Sequence, residues 1–355
     1  MKPQNLTRTA LAASLSLTAL LAACGGGGGG GAPTNTSNAS NGAPIGSTTS
    51  TSTASAIPAG TTQATPTYAQ GSIQLAMFNQ VNAYRQQCGF PAVQQNTLLD
   101  QAAQNHAQYM VDNGNKPTDS EVQGNPGFTG VSYQDRATYV GWPTASYATG
   151  GTTGWYNYDY TTNTAGTLTN TQWGQALVNS WASGVYHQAL IDWPFNVMGF
   201  GVSTTTSQSF QLALASESIA FDWSNPNDIS ANAAPLTFPC QGVTGIPYGL
   251  AGEVPMPPNT SSKGFGTPIS VIGRLNDTVI LTSATLVNTA TGEQITLNIL
   301  NASNDPNKLL PNYQASAYPA SPLAPNTTYQ ANLSGTINGT PFTRTFTFTT
   351  GNTLA

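Results

Sequence analysis

The stretch from Trp181 to Val202 constrains the fold of this chain more than any other part of it. It reads WASGVYHQALIDWPFNVMGFGV and contains His187, one of only two histidines among 355 residues. The small residues Ser183 and Gly184 predict a turn after a helix, and a short helix is expected to present His187. The glycine-punctuated apolar run from Val197 then predicts a strand. The stretch therefore predicts a helix, a turn that carries a histidine, and a strand.

The first residues have the composition of an export signal. Lys2 and Arg8 precede a largely apolar run that is too short to span a bilayer. Leu21-Ala22-Ala23-Cys24 resembles a bacterial lipobox, which predicts a signal peptide over residues 1–23 and lipid attachment at Cys24. The alternative is an ordinary secretory leader. We expect membrane anchoring through Cys24 in the bacterial cell envelope, or an extracellular location, and Gly25 favours the outer membrane.

Residues 24–68 form the next segment. They are almost entirely Gly, Ser, Thr, Ala, Asn and Pro, without a charged residue or a large apolar run. Such a sequence cannot bury enough apolar surface to offset the entropy cost of ordering. The composition predicts a flexible tether.

The charge balance excludes some partners. Two of the nine Lys and Arg residues lie in the leader, which leaves seven basic against 14 acidic side chains and a formal net charge of −7. Nucleic acids and anionic lipid headgroups are bound through basic patches. We therefore expect no nucleic-acid partner.

Two cysteines follow Cys24, at Cys88 and Cys240. An even pair in an exported protein favours a disulfide, since the compartment is oxidising. The alternative is two independent buried thiols. A bridge would fasten the Asn- and Pro-rich tail after Phe221 to the first helix.

Apolar periodicity and capping residues predict four main helices, the last of which contains Trp181. The first runs from Ser72 to Gln87, the second from Asn96 or Thr97 to Gly114, the third from Ser132 to Gly141, and the fourth carries Trp173, Leu177 and Trp181. Alternation predicts two strands, Phe195 to Val202 and Ser209 to Ala215. Residues 143–167, rich in Gly, Tyr, Thr and Asn, predict a long surface loop.

Several of these segments together resemble one family. The run NQVNAYRQQCGFPAVQQNTLLDQAAQNHAQYM, the turn cluster from Gly124 to Gly130 and the Trp181–Val202 stretch follow the order seen in bacterial CAP domains. This is the fold of cysteine-rich secretory proteins, antigen 5 and pathogenesis-related proteins. The resemblance implies an α/β/α sandwich over residues 69–250.

The last part of the chain predicts strands alone. They are Ile269–Ile272, Thr278–Thr282, Ala284–Asn288, Gln294–Ile299, Tyr329–Gly335 and Pro341–Thr349. Asn338-Gly339 predicts a hairpin turn, and the residues before Tyr329 resemble the tyrosine corner of immunoglobulin-like domains. Residues 264–355 are thus expected to form an all-β immunoglobulin-like sandwich, and the whole chain to be of the α+β class.

The resemblance also implies a cleft with two histidines and two acidic residues. His187 matches the second histidine, and Asp119 stands where the first is expected. The segment 145–148 lacks the first glutamate, and Ser183 or Gly184 occupies the place of the second. A divalent metal held by His187, Asp119 and Glu121 is one interpretation of what remains. The other is a histidine that only forms hydrogen bonds in the cleft floor, with no cofactor.

The remaining chemistry offers further alternatives. Ser183 close to His187 permits a serine-type hydrolase, although no nucleophile elbow is present. His106 reads as a hydrogen-bonded helix histidine rather than a catalytic one. Trp155 and Tyr158 lie in the aromatic loop, which either binds a ligand or folds onto its own domain.

Together these patterns favour a non-catalytic binding module for a lipid or sterol, a glycan or a protein. The alternative is a metal-assisted or serine-type hydrolase that acts through His187. A third possibility makes the C-terminal sandwich the interaction module and the preceding domain its platform.

Overall fold

The structure is a computed structural model, and it describes residues 56–159, 164–207, 209–222, 229–230 and 233–355. The predicted signal peptide, the lipidation at Cys24 and most of the predicted tether lie outside these ranges. Within them, the helices are all too short or too polar to cross a membrane.

The first part of the described chain mixes helices and strands. In chain order they are β1 (Thr62–Gln63), α1 (Ile73–Gln87), β2 (Gln94–Asn96), α2 (Thr97–Asp112), α3 (Tyr133–Tyr139), β3 (Ala148–Tyr156), β4 (Tyr158–Asp159), β5 (Thr164–Ala165), α4 (Asn170–Ala182), α5 (Ala189–Asp192), β6 (Val197–Ser207) and β7 (Phe210–Ala220).

A five-stranded sheet lies between two layers of helices. Its strand order is β1-β2-β6-β7-β3, with β2 parallel to β6 and the other pairs antiparallel. Ala213 and Ala215 of β7 pack with α1 and α4, while Leu212 and Leu214 pack against α2. Alternate residues of one strand thus face different helices. This α/β/α arrangement confirms the predicted fold class.

Helix α2 lies unusually close to strand β6. Asn96 caps the helix by accepting hydrogen bonds from the backbone N–H groups of Leu98 and Leu99. A Cβ atom at Gly199 would lie 2.1 Å from the backbone nitrogen of Asp100, and one at Gly201 would lie 2.2 Å from the carbonyl carbon of Ala103. The two glycines of the strand are therefore required by the helix backbone that crosses them.

Two local predictions differ from the structure. Strand β3 occupies nine residues of the segment predicted as a surface loop, because the β7 backbone pairs with it along its whole length. Strand β1 lies inside the predicted tether, where Thr62 and Gln63 pair with β2. Asn96 donates to the hydroxyl groups of Thr61 and Thr62, which fixes this segment to the sheet.

The second part of the chain contains strands only, within the residues described. They are β8 (Leu236–Phe238), β9 (Thr244–Ile246), β10 (Gly249–Leu250), β11 (Phe265–Gly266), β12 (Ile269–Ile272), β13 (Val279–Asn288), β14 (Gln294–Thr296), β15 (Asn298–Asn301), β16 (Gln314–Tyr318), β17 (Thr328–Ile337) and β18 (Thr340–Thr350). Their main sheets have the orders β15-β16-β12-β8 and β14-β13-β17-β18-β9.

The predicted strands of this part are largely present. Ile269–Ile272 has the predicted bounds, and the two strands expected over residues 278–288 form one strand with an irregularity between Leu281 and Ser283. Strand β16 was not predicted. The Asn338-Gly339 turn has positive φ at both residues, as the hairpin prediction requires. The hydroxyl of Tyr329 accepts from the N–H of Ala324, the contact expected of a tyrosine corner.

The two parts share one hydrophobic core. Strands β8 and β9, which were expected to be the tail of the first domain, pair with β12 and β18 instead. The Cys88–Cys240 disulfide is confirmed, and it connects the end of α1 to the segment between β8 and β9. The described residues all belong to one compact unit. The boundary predicted at residue 250 therefore does not separate two independent sheets.

Candidate functional site

His187 lies in the turn between α4 and α5, and its partner comes from the second part of the chain. Its Nδ1 donates to Oε2 of Glu253 at 2.8 Å. The same carboxylate accepts from the backbone N–H of Val185 at 2.7 Å and of Tyr186 at 3.3 Å. The Glu253 side chain is 1 % exposed and the His187 side chain is 19 % exposed. The buried Glu253 carboxylate thus fixes the imidazole through Nδ1, while part of the ring faces solvent.

Asp119 stands on the other side of strand β3. Its Oδ1 accepts from the hydroxyl of Tyr133 at 2.7 Å and from that of Thr152 at 3.0 Å. Gly151, the neighbour of Thr152, faces the opposite side, where an added Cβ atom would lie 3.5 Å from Cδ2 of His187. Asp119 is exposed. The edge of β3 therefore has a carboxylate on one face and an imidazole on the other, and we refer to this edge with its two flanking groups as the cleft.

The electrostatics of the cleft favour a protonated His187. Burial of the ring lowers its pKa, but the hydrogen bond and the negative charge of Glu253, with a further contribution from Asp119, raise the pKa above the ordinary value. A charged imidazole balances Glu253 and leaves Asp119 as the uncompensated charge among these three groups. The cleft is accordingly suited to ligands that donate hydrogen bonds or carry positive charge.

Glu121, the third residue of the predicted metal set, is bound to His106 and not to His187. Glu121 is buried, and it accepts from Nδ1 of His106 at 2.8 Å and from the N–H groups of Thr129 and Gly130. Burial raises the pKa of Glu121, but these hydrogen bonds outweigh burial and lower the pKa. The predicted set of His187, Asp119 and Glu121 is therefore wrong as a ligand group.

A divalent metal, which the family resemblance implies, does not fit the residues present. Both ring nitrogens of His106 are engaged, by Glu121 and by the carbonyl of Thr118, so this histidine offers no ligand atom. Across the described ranges, three or more His, Cys, Asp or Glu side chains nowhere come together in a way that could hold a metal ion. We derive no chemistry through a metal.

The candidate nucleophile is not placed for catalysis. The hydroxyl of Ser183 donates to the carbonyl of Asn179 at 2.7 Å and is buried at the end of α4. Ser180 forms its hydrogen bond with Thr153 at 2.8 Å. The Ser183–His187 pair expected from sequence proximity is therefore wrong, because the serine completes the last turn of its helix.

The aromatic residues of the predicted loop pack onto their own domain. Trp155 is half-buried against the core shared by α1 and α4. The ring of Tyr158 meets that of Phe210 edge-on, with 5.1 Å between centroids. Tyr147 and Tyr156 are the aromatic side chains that stay exposed at the two ends of β3. Trp155 and Tyr158, predicted as ligand-binding, thus have structural partners instead.

Glu253 is the site residue that sequence reasoning missed. It is 66 residues from His187 in sequence and follows Gly252 in a Pro-rich connector between β10 and β11. The resemblance indicates an absent carboxylate in the cleft, but it does not indicate which distant acidic residue replaces it. The tyrosine next to His187 is also fastened to the second part, since Tyr186 donates to Asp305 at 2.8 Å.

The fold and the site define a class of protein: an α/β/α sandwich with a histidine cleft, joined to an all-β part. Comparison with known families is consistent with this. Residues 78–216 match the model of the cysteine-rich secretory protein family, CAP. The match supports a CAP domain in this part of the chain.

Other comparisons add little. The search of curated proteins gave no match. Among solved structures, a DUF4785 family protein from Legionella pneumophila matches 40 % of this chain with 10 % sequence identity and a TM-score of 0.19. The match spans 36 % of the length of that protein.

Proposed function

We propose that this chain is a non-catalytic binding module of the bacterial cell envelope or the extracellular space, and that the cleft between Asp119 and His187 is its ligand site. The family match supports a binding or extracellular module. The observation that carries the proposal is the His187–Glu253 pair. The buried carboxylate of Glu253 fixes the partly exposed imidazole of His187, and the exposed carboxylate of Asp119 lies on the other face of β3. A fixed donor and a fixed acceptor on facing flanks are typical of a specific polar binding site.

The lining of the cleft bears on the class of ligand. Asp119, Thr152, Tyr133 and His187 all offer polar atoms. Hydrogen-bonding groups of this kind suit a protein or glycan better than a sterol or an acyl chain, which need an apolar lining. Among the lipid, glycan and protein ligands predicted from sequence, the two polar classes are therefore favoured.

Binding assays with three probe classes test this proposal. Purified chain is offered neutral and basic oligosaccharides, random-sequence peptides, and vesicles of phosphatidylcholine with and without sterol. We expect at least one probe to bind, with a loss of about tenfold or more in Asp119→Asn and in His187→Gln, since hydrogen bonds to charged groups contribute about 1.5–3 kcal/mol. Tyr139→Ala, on an exposed side chain outside the cleft, is the matched control. Failure of all three classes contradicts the proposal.

Hydrolysis is the second candidate, because the Glu253 carboxylate orients His187 as it would orient a histidine that transfers protons as acid or base. A water molecule would then have to serve as nucleophile, since Ser183 and Ser180 are engaged elsewhere. Incubation with peptide, ester and glycan substrates distinguishes the two functions. We expect no turnover. Hydrolysis by the unaltered chain that is lost in His187→Ala would show that the cleft is a catalytic site and not a binding site alone.

A further inference from the structure

Strand β3 forms one edge of the five-stranded sheet, and it is long for an edge strand. It pairs with β7 over nine residues, from Ala148 opposite Ala220 to Tyr156 opposite Leu212. On its other side the strand order ends, for the part of the chain that the structure describes. Edge strands of this length expose a row of backbone donors and acceptors unless something covers them.

The register shows which backbone groups point away from the sheet. The N–H of Asn157 donates to the carbonyl of Gln211 on the β7 side, whereas the N–H of Ala148 donates to the side chain of Gln134. Residues of an antiparallel pair alternate between hydrogen-bonded and non-hydrogen-bonded positions. The odd-numbered residues of β3 therefore bond to β7, and Gly150, Thr152 and Gly154 direct their N–H and C=O groups outward.

These outward groups have no hydrogen-bond partner among residues 56–159, 164–207, 209–222, 229–230 and 233–355. Gly150 and Gly154 are half-buried, while Thr152 between them is buried. Backbone polar groups that are shielded from solvent are almost always paired. The backbones of Gly150, Thr152 and Gly154 thus provide three N–H donors and three C=O acceptors, at the spacing with which a neighbouring strand would pair.

The flanks of this row are the two sides of the cleft. Asp119 and Tyr133 lie on the face of Thr152, and His187 lies on the face of Gly151. The strand and α5 lie close together here, since a Cβ atom at position 151 would lie 2.5 Å from Cδ1 of Leu190. A strand placed beside β3 would direct alternate side chains toward Asp119 and toward His187.

We propose that the cleft binds an extended peptide segment by strand addition to the outer edge of β3. The peptide backbone pairs with Gly150, Thr152 and Gly154, and a basic or hydroxyl side chain of the peptide meets Asp119. Main-chain hydrogen bonds supply affinity in this mode of recognition, and the alternate side chains supply specificity. The inference rests on the proposed function and names the ligand class of the same cleft.

A backbone methylation scan tests the proposal on the unaltered protein. Peptides selected from a random-sequence library are resynthesised with a single N-methyl group at each position in turn. We expect methylation at alternate positions to weaken binding at least tenfold, and methylation at the intervening positions to change it less than about twofold. Asp119→Asn is expected to weaken binding of a peptide with a basic residue and to leave its neutral analogue within twofold.

Other outcomes separate the inference from the proposed function. If oligosaccharides or vesicles bind in a cleft-dependent manner and peptides do not, strand addition is wrong and the binding module stands. Peptide binding without the alternating methylation pattern also overturns the inference. A stable dimer in ultracentrifugation that excludes peptide would assign the edge to a second copy of the chain. If no probe binds, both proposals fail.

Discussion

At the scale of single residues, the charge-poor chain buries several ionisable groups. Asp192 and Glu217 are both fully buried. One oxygen of Asp192 accepts from the hydroxyl of Ser270, and the other oxygen and both oxygens of Glu217 have no hydrogen-bond partner within the described chain. Burial raises the pKa of Asp192 to about 7, against opposing contributions from Ser270 and Arg85, and raises that of Glu217 well above its ordinary value.

The raised pKa of Asp192 predicts that stability falls as the pH rises. An unfolded aspartate releases its proton near pH 3.9, whereas the folded chain keeps it until about pH 7. Between these values the folded state binds the extra proton, so the stability present below pH 4 is progressively lost up to about pH 7. Asp192→Asn should remove the share of this dependence that Asp192 contributes, on the order of 2–4 kcal/mol across the window, and leave the share of Glu217, whose pKa is also raised.

Urea unfolding at intervals from pH 4 to pH 8 measures this effect. The exposed Asp112→Asn is the matched control, and it should keep the pH dependence of the unaltered chain. Parallel stability profiles for the unaltered chain and Asp192→Asn would contradict the assignment of a raised pKa to this carboxyl.

At the scale of elements, the contact between α2 and β6 fixes one face of the sandwich. Gly201→Ala places a methyl group 2.2 Å from the backbone of Ala103, and a helix backbone cannot move aside as a flexible side chain can. We expect a loss of about 1–3 kcal/mol in the free energy of unfolding, as for other overpacked sites.

Thermal and urea unfolding check this expectation. Gly252→Ala is the matched control, because an added Cβ atom at this exposed position meets only the Met256 sulfur, at 3.6 Å. Similar stabilities of the two variants would show that α2 can shift away from β6, contrary to the structure.

The elements that sequence predicts well are those with a strong periodic pattern. Helices α1, α2 and α4 have apolar residues at helical spacing, and Ser72 and Asn96 cap the first two as expected. Strand β3 was missed because its Gly, Thr and Tyr composition is also that of a loop, and its pairing is fixed by a strand about 60 residues later in the chain. Propensity gives little information where tertiary pairing decides the conformation.

The candidate site was only partly predictable for a similar reason. His187 and Asp119 stand at positions that a family pattern marks, so both were found from sequence. Glu253 belongs to a connector without periodicity, and only the folded chain brings it to His187. The errors at Glu121 and Ser183 came from proximity in sequence, since each side chain is engaged by nearer hydrogen-bond partners.

At the scale of the whole molecule, the all-β part completes the α/β/α part. The Cys88–Cys240 disulfide closes a loop with a sequence separation of 152, which the chain-entropy model values at about 5 kcal/mol. Gln188 donates to the carbonyl of Pro268, and Trp193 donates to Gln314, on either side of α5. The segment that carries His187 is therefore positioned by contacts with the second part of the chain.

The central claim is that Glu253, from outside the region that matches the CAP family, sets the state of His187. Titration of the His187 ring proton by NMR in the unaltered chain and in Glu253→Gln tests it most directly, with the resonance assigned by its loss in His187→Gln. We predict a pKa above the ordinary value of about 6.5 in the unaltered chain and a lower one in Glu253→Gln, where burial is less opposed. Equal pKa values in the two proteins would contradict the account.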